Sequence, residues 1–171
     1  MSQDGLASFE PAFADELAII LEWSFDYLQR SGKNKIDKTT WLRDKTGGSV
    51  YLRLSTNPIE QPGMRSCKIF KEDVIKGAYW MKKPGPNCEL VLVYQGVIAP
   101  EVLSAAGKIG EYRKDIGVLS VTSADRLNAG WTSAQKARTL GVKSAKSHIE
   151  TLMEDLPRHC VCLLYTSDAA D

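Results

Sequence analysis

The sequence predicts an α/β fold on three observations. Residues 90–94 (LVLVY) and 116–121 (IGVLSV) are short, continuous apolar runs of the kind buried on both faces of a sheet. Between them lies an amphipathic helix signal opening at Pro100, and before them, across a Pro- and Gly-rich joint, stands another helix-then-strand pair. Strand, helix and strand in that order imply a right-handed parallel crossover. The chain therefore reads as the end of one α/β domain joined to the start of another.

Taken in order, Ser8-Phe9 is a short lead-in, and Pro11 is expected at the first position of a helix, where its missing N–H costs nothing. Phe13, Leu17, Ile20, Leu21, Ser24 and Leu28 recur at helical spacing, with Ile19 and Trp23 widening the stripe as in a helix packed on a sheet. Asp15, Glu22, Asp26 and Gln29 fall elsewhere around the wheel, and Gly32 is the expected C-terminal cap. Residues 33–46 are polar and basic and read as a surface loop. A loop of that length either covers a neighbouring subunit, anchored by Trp41, or packs locally. Residues 49–55 (SVYLRLS) alternate Val50, Leu52 and Leu54 with Tyr51 and Arg53, the pattern of a strand with one dry face.

Asn57-Pro58, Pro62-Gly63 and Pro84-Gly85-Pro86 bracket a segment read as having little core character, with a brief helix opening at Glu72-Asp73 and an extended stretch over residues 79–81. Beyond it come the strand at 90–94, Gly96, and a helix with Val102, Leu103, Ala106, Ile109 and Gly110 in one stripe, where Gly107 is expected to approach the sheet. After the strand at 116–121, residues 122–130 read as turn-forming. Thr132 and Gln135 resemble a capping box for a weak helix ending near Gly141, and Ser147 and Glu150 make a better one, opening a helix with Ile149, Leu152, Met153 and Leu156 that stops before Pro157. The expected organisation is thus 1–57, 58–87 as a linker, 88–161, and a tail from 162.

The 171 residues are 43% hydrophobic, a composition adequate for a core, and 22 Lys plus Arg oppose 21 Asp plus Glu. That balance offers no field for nucleic acid or an anionic membrane. No apolar stretch approaches the roughly 20 residues of a bilayer crossing, and Asp4, Glu10, Asp15 and Glu16 make the start unlike a signal peptide, so a cytoplasmic location is expected. The four cysteines, Cys67, Cys88, Cys160 and Cys162, fit neither paired Cys-x-x-Cys spacing nor a disulfide framework. His159 beside Cys160 and Cys162 lacks further metal ligands nearby, which leaves buried or incidental thiols as the plainer reading. Residues 162–171 (CLLYTSDAAD) look like the translated end of a transposon used to fragment DNA, in which case the natural chain continued differently after Val161; the alternative is a natural tail.

Candidate chemistry is sparse. His148 and His159 stand far from any Ser or Cys elbow. Gly96 before a helix start offers either an anion-binding turn, without the further glycines of a dinucleotide fingerprint, or simple loop packing. Asp125-Arg126 lies at the carboxyl end of a strand, where open α/β sheets bind ligands, but the two residues could equally satisfy each other or the turn. No catalytic or metal-binding set emerges.

The run FEPAF at 9–13, the strand at 50–56 with its sequel NPIEQP at 57–62, the phrase KGAYW at 76–80 and VTSADRL at 121–127 carry a resemblance in their order and spacing. Together they resemble the thiamine diphosphate-dependent decarboxylase component of pyruvate dehydrogenase, of the homodimeric bacterial type related to transketolase. The resemblance covers nearly everything from Ser8 to Val161. It implies the end of a pyrimidine-binding domain, a connecting segment and an incomplete carboxy-terminal domain of transketolase type. It further implies thiamine diphosphate and Mg²⁺ bound by regions that match nothing here, a homodimer, and a lipoyl-bearing acetyltransferase as partner. None of the family's catalytic or cofactor-binding residues can be carried over to a position in this chain. Transketolases look to have an Arg after the Ser that closes the last strand of the pyrimidine-binding domain, suited to a sugar phosphate. Here Ser55 is followed by Thr56, so Thr56 is the one candidate substrate-proximal residue, its hydroxyl suiting pyruvate; alternatively it touches nothing. A transketolase-type ketol transferase and a non-catalytic α/β interaction module are the competing readings.

Overall fold

In the computed structural model the residues described are 5–30, 44–63, 67–156 and 161–164. Two sheets carry the architecture. Strand β1 (Leu6–Phe9) pairs in parallel with β2 (Ser49–Leu52), joined by helix α1 (Ala14–Gln29). The second sheet has the order β3-β5-β4-β6, formed by β3 (Ala78–Lys82), β4 (Val91–Gln95), β5 (Gly117–Val121) and β6 (Val161–Leu164). Its remaining helices are α2 (Lys68–Lys76), α3 (Ala99–Gly110), α4 (Ala124–Thr139) and α5 (His148–Leu152).

The expected βαβ unit is present. β4 and β5 pair in parallel from Val91↔Gly117 to Gln95↔Val121, with α3 between them in sequence. Val91, Leu92, Val93 and Tyr94 are all buried, which is why that run shows no alternation; each such side chain contributes about 1.5–3 kcal/mol on leaving water. Val102 and Ala106 of α3 pack into the same core as Leu92, Tyr94, Ile116 and Val118. Gly107, expected against the sheet, is exposed, and a Cβ there would meet nothing within 4 Å. The stripe turns at Ala106 and carries Gly107 past the sheet.

Helix α1 begins three residues later than expected. Pro11 is buried outside the helix, Phe13 is the N-cap in extended conformation, and Phe13 instead fills the core beside Leu92 and Tyr94. Gly32 and residues 33–43, with Trp41, lie outside the described residues; the last helical residue is Gln29, and Arg30 follows as C-cap. Phe9, Ile19, Ile20 and Tyr27 form a core with Trp23, whose ring stacks on Tyr27 at 4.4 Å. In β2, Val50 and Leu52 are half-buried, while Leu54 lies past the strand end and is 53% exposed, so the alternation stops short of it.

Three further departures concern how the second sheet is completed. Residues 58–87 contain the brief helix and the extended stretch expected there, as α2 and β3, but they were expected to have little core character, and Phe70, Val74, Ala78 and Tyr79 are buried. Helix α2 opens at Cys67, ahead of Glu72, and ends at Gly77 in the left-handed conformation (φ 111°), from which the chain enters β3 at once. β3 runs antiparallel to β5, an edge strand on an otherwise parallel sheet. Residues 124–130, within the stretch expected as turns, form the first part of α4: Ser123 caps it by accepting the Arg126 amide at 3.1 Å, and Thr132 lies within the helix rather than at its start. The Ser147–Glu150 capping box is formed as expected, with Ser147 Oγ accepting the Glu150 amide and Glu150 Oε2 accepting the Ser147 amide at 2.8 Å. β6 pairs in parallel with β4 from Val91↔Val161 to Tyr94↔Leu164, so residues 162–164 of the expected tail carry strand backbone. Pro157 lies outside the described residues.

The two sheets are stitched where their strands end. The Glu10 amide donates to Thr122 O at 2.8 Å, and the Ser123 hydroxyl donates to Ser8 O. Among the described residues no helix is long and apolar enough to cross a membrane.

Candidate functional site

The carboxyl ends of β1, β2 and β4 converge on a cleft of about 310 Å³, lined among others by Pro11, Phe13, Leu54, Ser55, Asn57 and Val97. That is where open α/β sheets bind ligands, and the volume lies at the lower end of small-molecule pockets. Its wall forms because Pro11 and the extended Phe13 delay the start of α1, and because the chain leaves β2 through Ser55, Asn57 and Pro58. Ser55 Oγ accepts the Asn57 amide at 3.1 Å, and Gln61 Oε1 accepts the Ala14 amide at 2.9 Å, holding the segment after β2 against the first turn of α1. Thr56 lies between the lining residues Ser55 and Asn57 and is exposed to solvent.

Beside the cleft, Gly96 has φ +64°, a conformation that favours glycine. The Glu10 side chain fills the space a Cβ would take there, and Glu10 faces Arg53 at 3.8 Å. A carboxylate already occupies the turn, so Gly96 serves loop packing and not anion binding.

Beneath the cleft is a residue that the wheel reading passed over. Glu16 is fully buried and its two oxygens face different parts of the fold. Oε2 accepts the amides of Ala12 at 2.6 Å and Phe13 at 3.1 Å, while Oε1 accepts the hydroxyls of Tyr79 at 2.5 Å and Ser120 at 3.3 Å. The sequence did carry a signal: Glu16 falls on the apolar face between Phe13 and Ile20, three residues after the N-cap, where a carboxylate closes a helix start.

Asp125 and Arg126 do not pair with each other in the way one reading allowed. Arg126 is buried, its Nε donates to Ile75 O at 2.5 Å, and its Nη2 donates to Asp44 Oδ2 at 3.0 Å. The guanidinium lies 4.9 Å from the Trp23 ring centroid and 5.9 Å from that of Phe9. It forms part of the wall of a hollow of about 510 Å³ between α1 and α2, together with Trp23 and Ile75.

His148 Nε2 lies 2.7 Å from Ala78 O, so that nitrogen carries the proton, and Asp73 Oδ1 is 3.9 Å away. Burial lowers its pKa below the ordinary histidine value, against the opposing pull of the Ala78 carbonyl and Asp73, with Lys76 adding to the lowering. It docks α5 on β3. His159 and Cys160 lie outside the described residues; Cys67 and Cys162 are exposed, and Cys88 is buried with its Sγ 3.2 Å from Leu90 O. Among the described residues no three His, Cys, Asp or Glu side chains are grouped to hold a metal ion. The arrangement provides a cleft and a rigid junction beneath it.

No protein-family model matches the sequence, and no curated protein matches it either. Solved structures do. An arginine-to-leucine variant of transketolase from Pichia stipitis matches with a TM-score of 0.57 over 94% of this chain at 14% identity, and so does a second arginine-to-leucine variant in complex with fructose 6-phosphate. A histidine-to-phenylalanine variant of the same enzyme matches with a TM-score of 0.50 over 72% of the chain at 16% identity. The chain spans 18% of the length of the first two and 15% of the third. The α/β fold is therefore transketolase-like.

Proposed function

We propose that this chain is part of a thiamine diphosphate-dependent enzyme, and more narrowly of the decarboxylase component of pyruvate dehydrogenase, in which it supplies framework and the junction between two domains. The observation that carries the broader reading is the joined pair of sheets, which follows transketolase over 94% of the chain. The narrower reading rests on the sequence phrases that resemble the pyruvate enzyme and on Thr56, an exposed neutral side chain at the cleft edge where transketolases look to have an arginine. A hydroxyl there suits a small 2-oxo acid, whereas a sugar phosphate calls for a cation.

In this reading thiamine diphosphate supplies the electron sink for decarboxylation, and a lipoyl arm on an acetyltransferase receives the acetyl group. The residues at hand do not fit the cofactor's metal: the described carboxylates, thiols and imidazoles form no group of three. No catalytic step is assigned to this chain. Its contribution is positional, through the cleft edge, the Glu16 junction and the stitched strand ends; homodimerisation belongs to the same proposal.

The test is an assay of the enzyme encoded by the complete reading frame, with thiamine diphosphate and Mg²⁺, on pyruvate with a lipoyl acceptor and in parallel on a pentose phosphate with an aldose acceptor. Turnover of pyruvate alone is expected. Turnover of the pentose phosphate alone would replace the proposal by a transketolase-type ketol transferase. Turnover by these 171 residues on their own would refute the framework role.

A further inference from the structure

We propose that the outward face of α1 is a docking surface for α1 of a second copy of this chain, the two helices packing antiparallel about a two-fold axis. Ala14, Ala18, Leu21, Phe25 and Leu28 follow one another at steps of four, three, four and three residues, the spacing of a seam between two packed helices. That stripe is turned away from Glu16, Ile20 and Tyr27, which α1 buries against its own side of the fold. Ala14 and Ala18 are exposed and Leu21 is half-buried, while Phe25 and Leu28 are 63% and 54% exposed. Leu28, which the periodicity groups with Ile20, therefore faces outward. A helix that is apolar on both sides is built to be covered on both sides. Among the described residues the second side is left open to solvent.

The occupant follows from the order of side-chain sizes. The stripe is small at one end, with Ala14 and Ala18, and large at the other, with Phe25 and Leu28, Leu21 lying between. A second copy running the opposite way sets large side chains over small ones and fills each layer. A parallel copy would stack Phe25 on Phe25 and leave a gap where alanine meets alanine. The patch is thus complementary to itself under a two-fold rotation, as an isologous contact requires. The charges flanking the seam do not oppose it: Lys71 neutralises Glu22 at 2.9 Å, and Asp15, which accepts the Glu16 amide, sits in the first turn, where the helix dipole offsets its charge. Ala14 also lines the cleft, so the reversed arrangement brings the partner's Leu28 to the cleft's rim. This gives a surface to the homodimerisation proposed above and rests on it, while asking nothing of the substrate.

Sedimentation equilibrium of the 171-residue chain over a concentration series reads the association directly. A monomer–dimer equilibrium with a midpoint on the order of 10 µM is expected for a contact of this small size. Phe25→Ser should weaken it by on the order of a hundredfold, because a two-fold contact counts each substitution twice. Ile69→Ser on α2, which removes a side chain still more exposed at 72%, should leave it unchanged. Orientation is read from a compensating pair: Ala18→Leu alone should weaken association, whereas added to Phe25→Ala it should strengthen that variant by about tenfold. A chain that stays monomeric up to about twenty times the expected midpoint overturns the proposal and homodimerisation with it. A Phe25→Ser variant that associates like the unmodified chain, or an equal loss in Ile69→Ser, overturns the proposal and leaves a dimer formed through another face. A compensating pair without recovery overturns the reversed arrangement. Should Phe25→Ser lose the helical circular dichroism of the unmodified chain, Leu28→Ser carries the same expectation and overturns the proposal in the same way. No outcome depends on turnover, so the enzymatic reading is tested apart.

Discussion

Replacing Arg126 by methionine tests how the first layer is held to α2 and α4. The substitution keeps the apolar stem and removes the guanidinium, whose relative exposure is 7%. Three losses follow. The Ile75 carbonyl, partly buried, loses its donor, at about 1–2 kcal/mol. The stack over Trp23 at 4.9 Å, in a desolvated setting, contributes about 1 kcal/mol. The ion pair with Asp44 adds no more than about 0.5 kcal/mol, since that carboxylate is 43% exposed and water takes over its solvation. Arg126→Met should therefore cost about 3 kcal/mol in urea unfolding followed by tryptophan fluorescence. Arg126→Lys should recover less than half, because an ammonium cannot serve the carbonyl, the carboxylate and the ring face together. A double-mutant cycle with Trp23→Leu should show a coupling of about 1 kcal/mol. A loss under 1 kcal/mol for Arg126→Met, or no coupling to Trp23, would show that the guanidinium is a solvated surface charge and that the packing described around it does not exist in solution.

Three other outcomes follow from the same physical reasoning. His148 has its pKa lowered on folding by burial, so the folded state prefers the neutral ring: the stability it contributes is present above the ordinary value of 6.5 and is lost as pH falls through the lowered one. Urea midpoints measured between pH 8 and 5 should fall toward acid, and His148→Gln should flatten that part of the curve. Gly107→Ala on the open face of α3 should raise the urea midpoint, corresponding to about 0.5–1 kcal/mol. Gly77→Ala should lower stability by more than about 2 kcal/mol, since φ is +111° and the new Cβ would sit 2.6 Å from Ser123 O. Equal effects for the two glycines would refute the backbone assignment at the α2–β3 turn.

What the sequence made legible was whatever hydrophobicity alone determines. The runs at 90–94 and 116–121 are buried on both faces, and no other element competes for such a pattern. The first half of α4 was missed, although a weak helix from Thr132 toward Gly141 was expected, because its burial rests on Ala129, Ala134 and an arginine, while Gly130 and Thr132 break the apolar rhythm; only the Ser123 cap marks its start. The segment 58–87 was read correctly as helix and then extended chain, but its core character was misjudged because its flanking prolines and glycines outweighed one pair, Phe70 and Val74, at i and i+4. The cleft could be anticipated from strand polarity, and Thr56 was placed near it by resemblance. Glu16 was passed over because a charge within an apolar stripe only makes sense once Tyr79 and Ser120 are brought to it from far along the chain.

That distance bears on how the molecule comes into being. The bond from Ser123 to Ser8 closes a span of 115 residues, and Glu16 waits 104 residues for Ser120. On a ribosome β1 and α1 emerge well before β5, so the bonds that cross between the two sheets stay unmade until β5 has cleared the exit tunnel. The junction between the sheets is thus completed late, and slowing translation before β5 has left the tunnel should prolong that interval while slowing it afterwards should not.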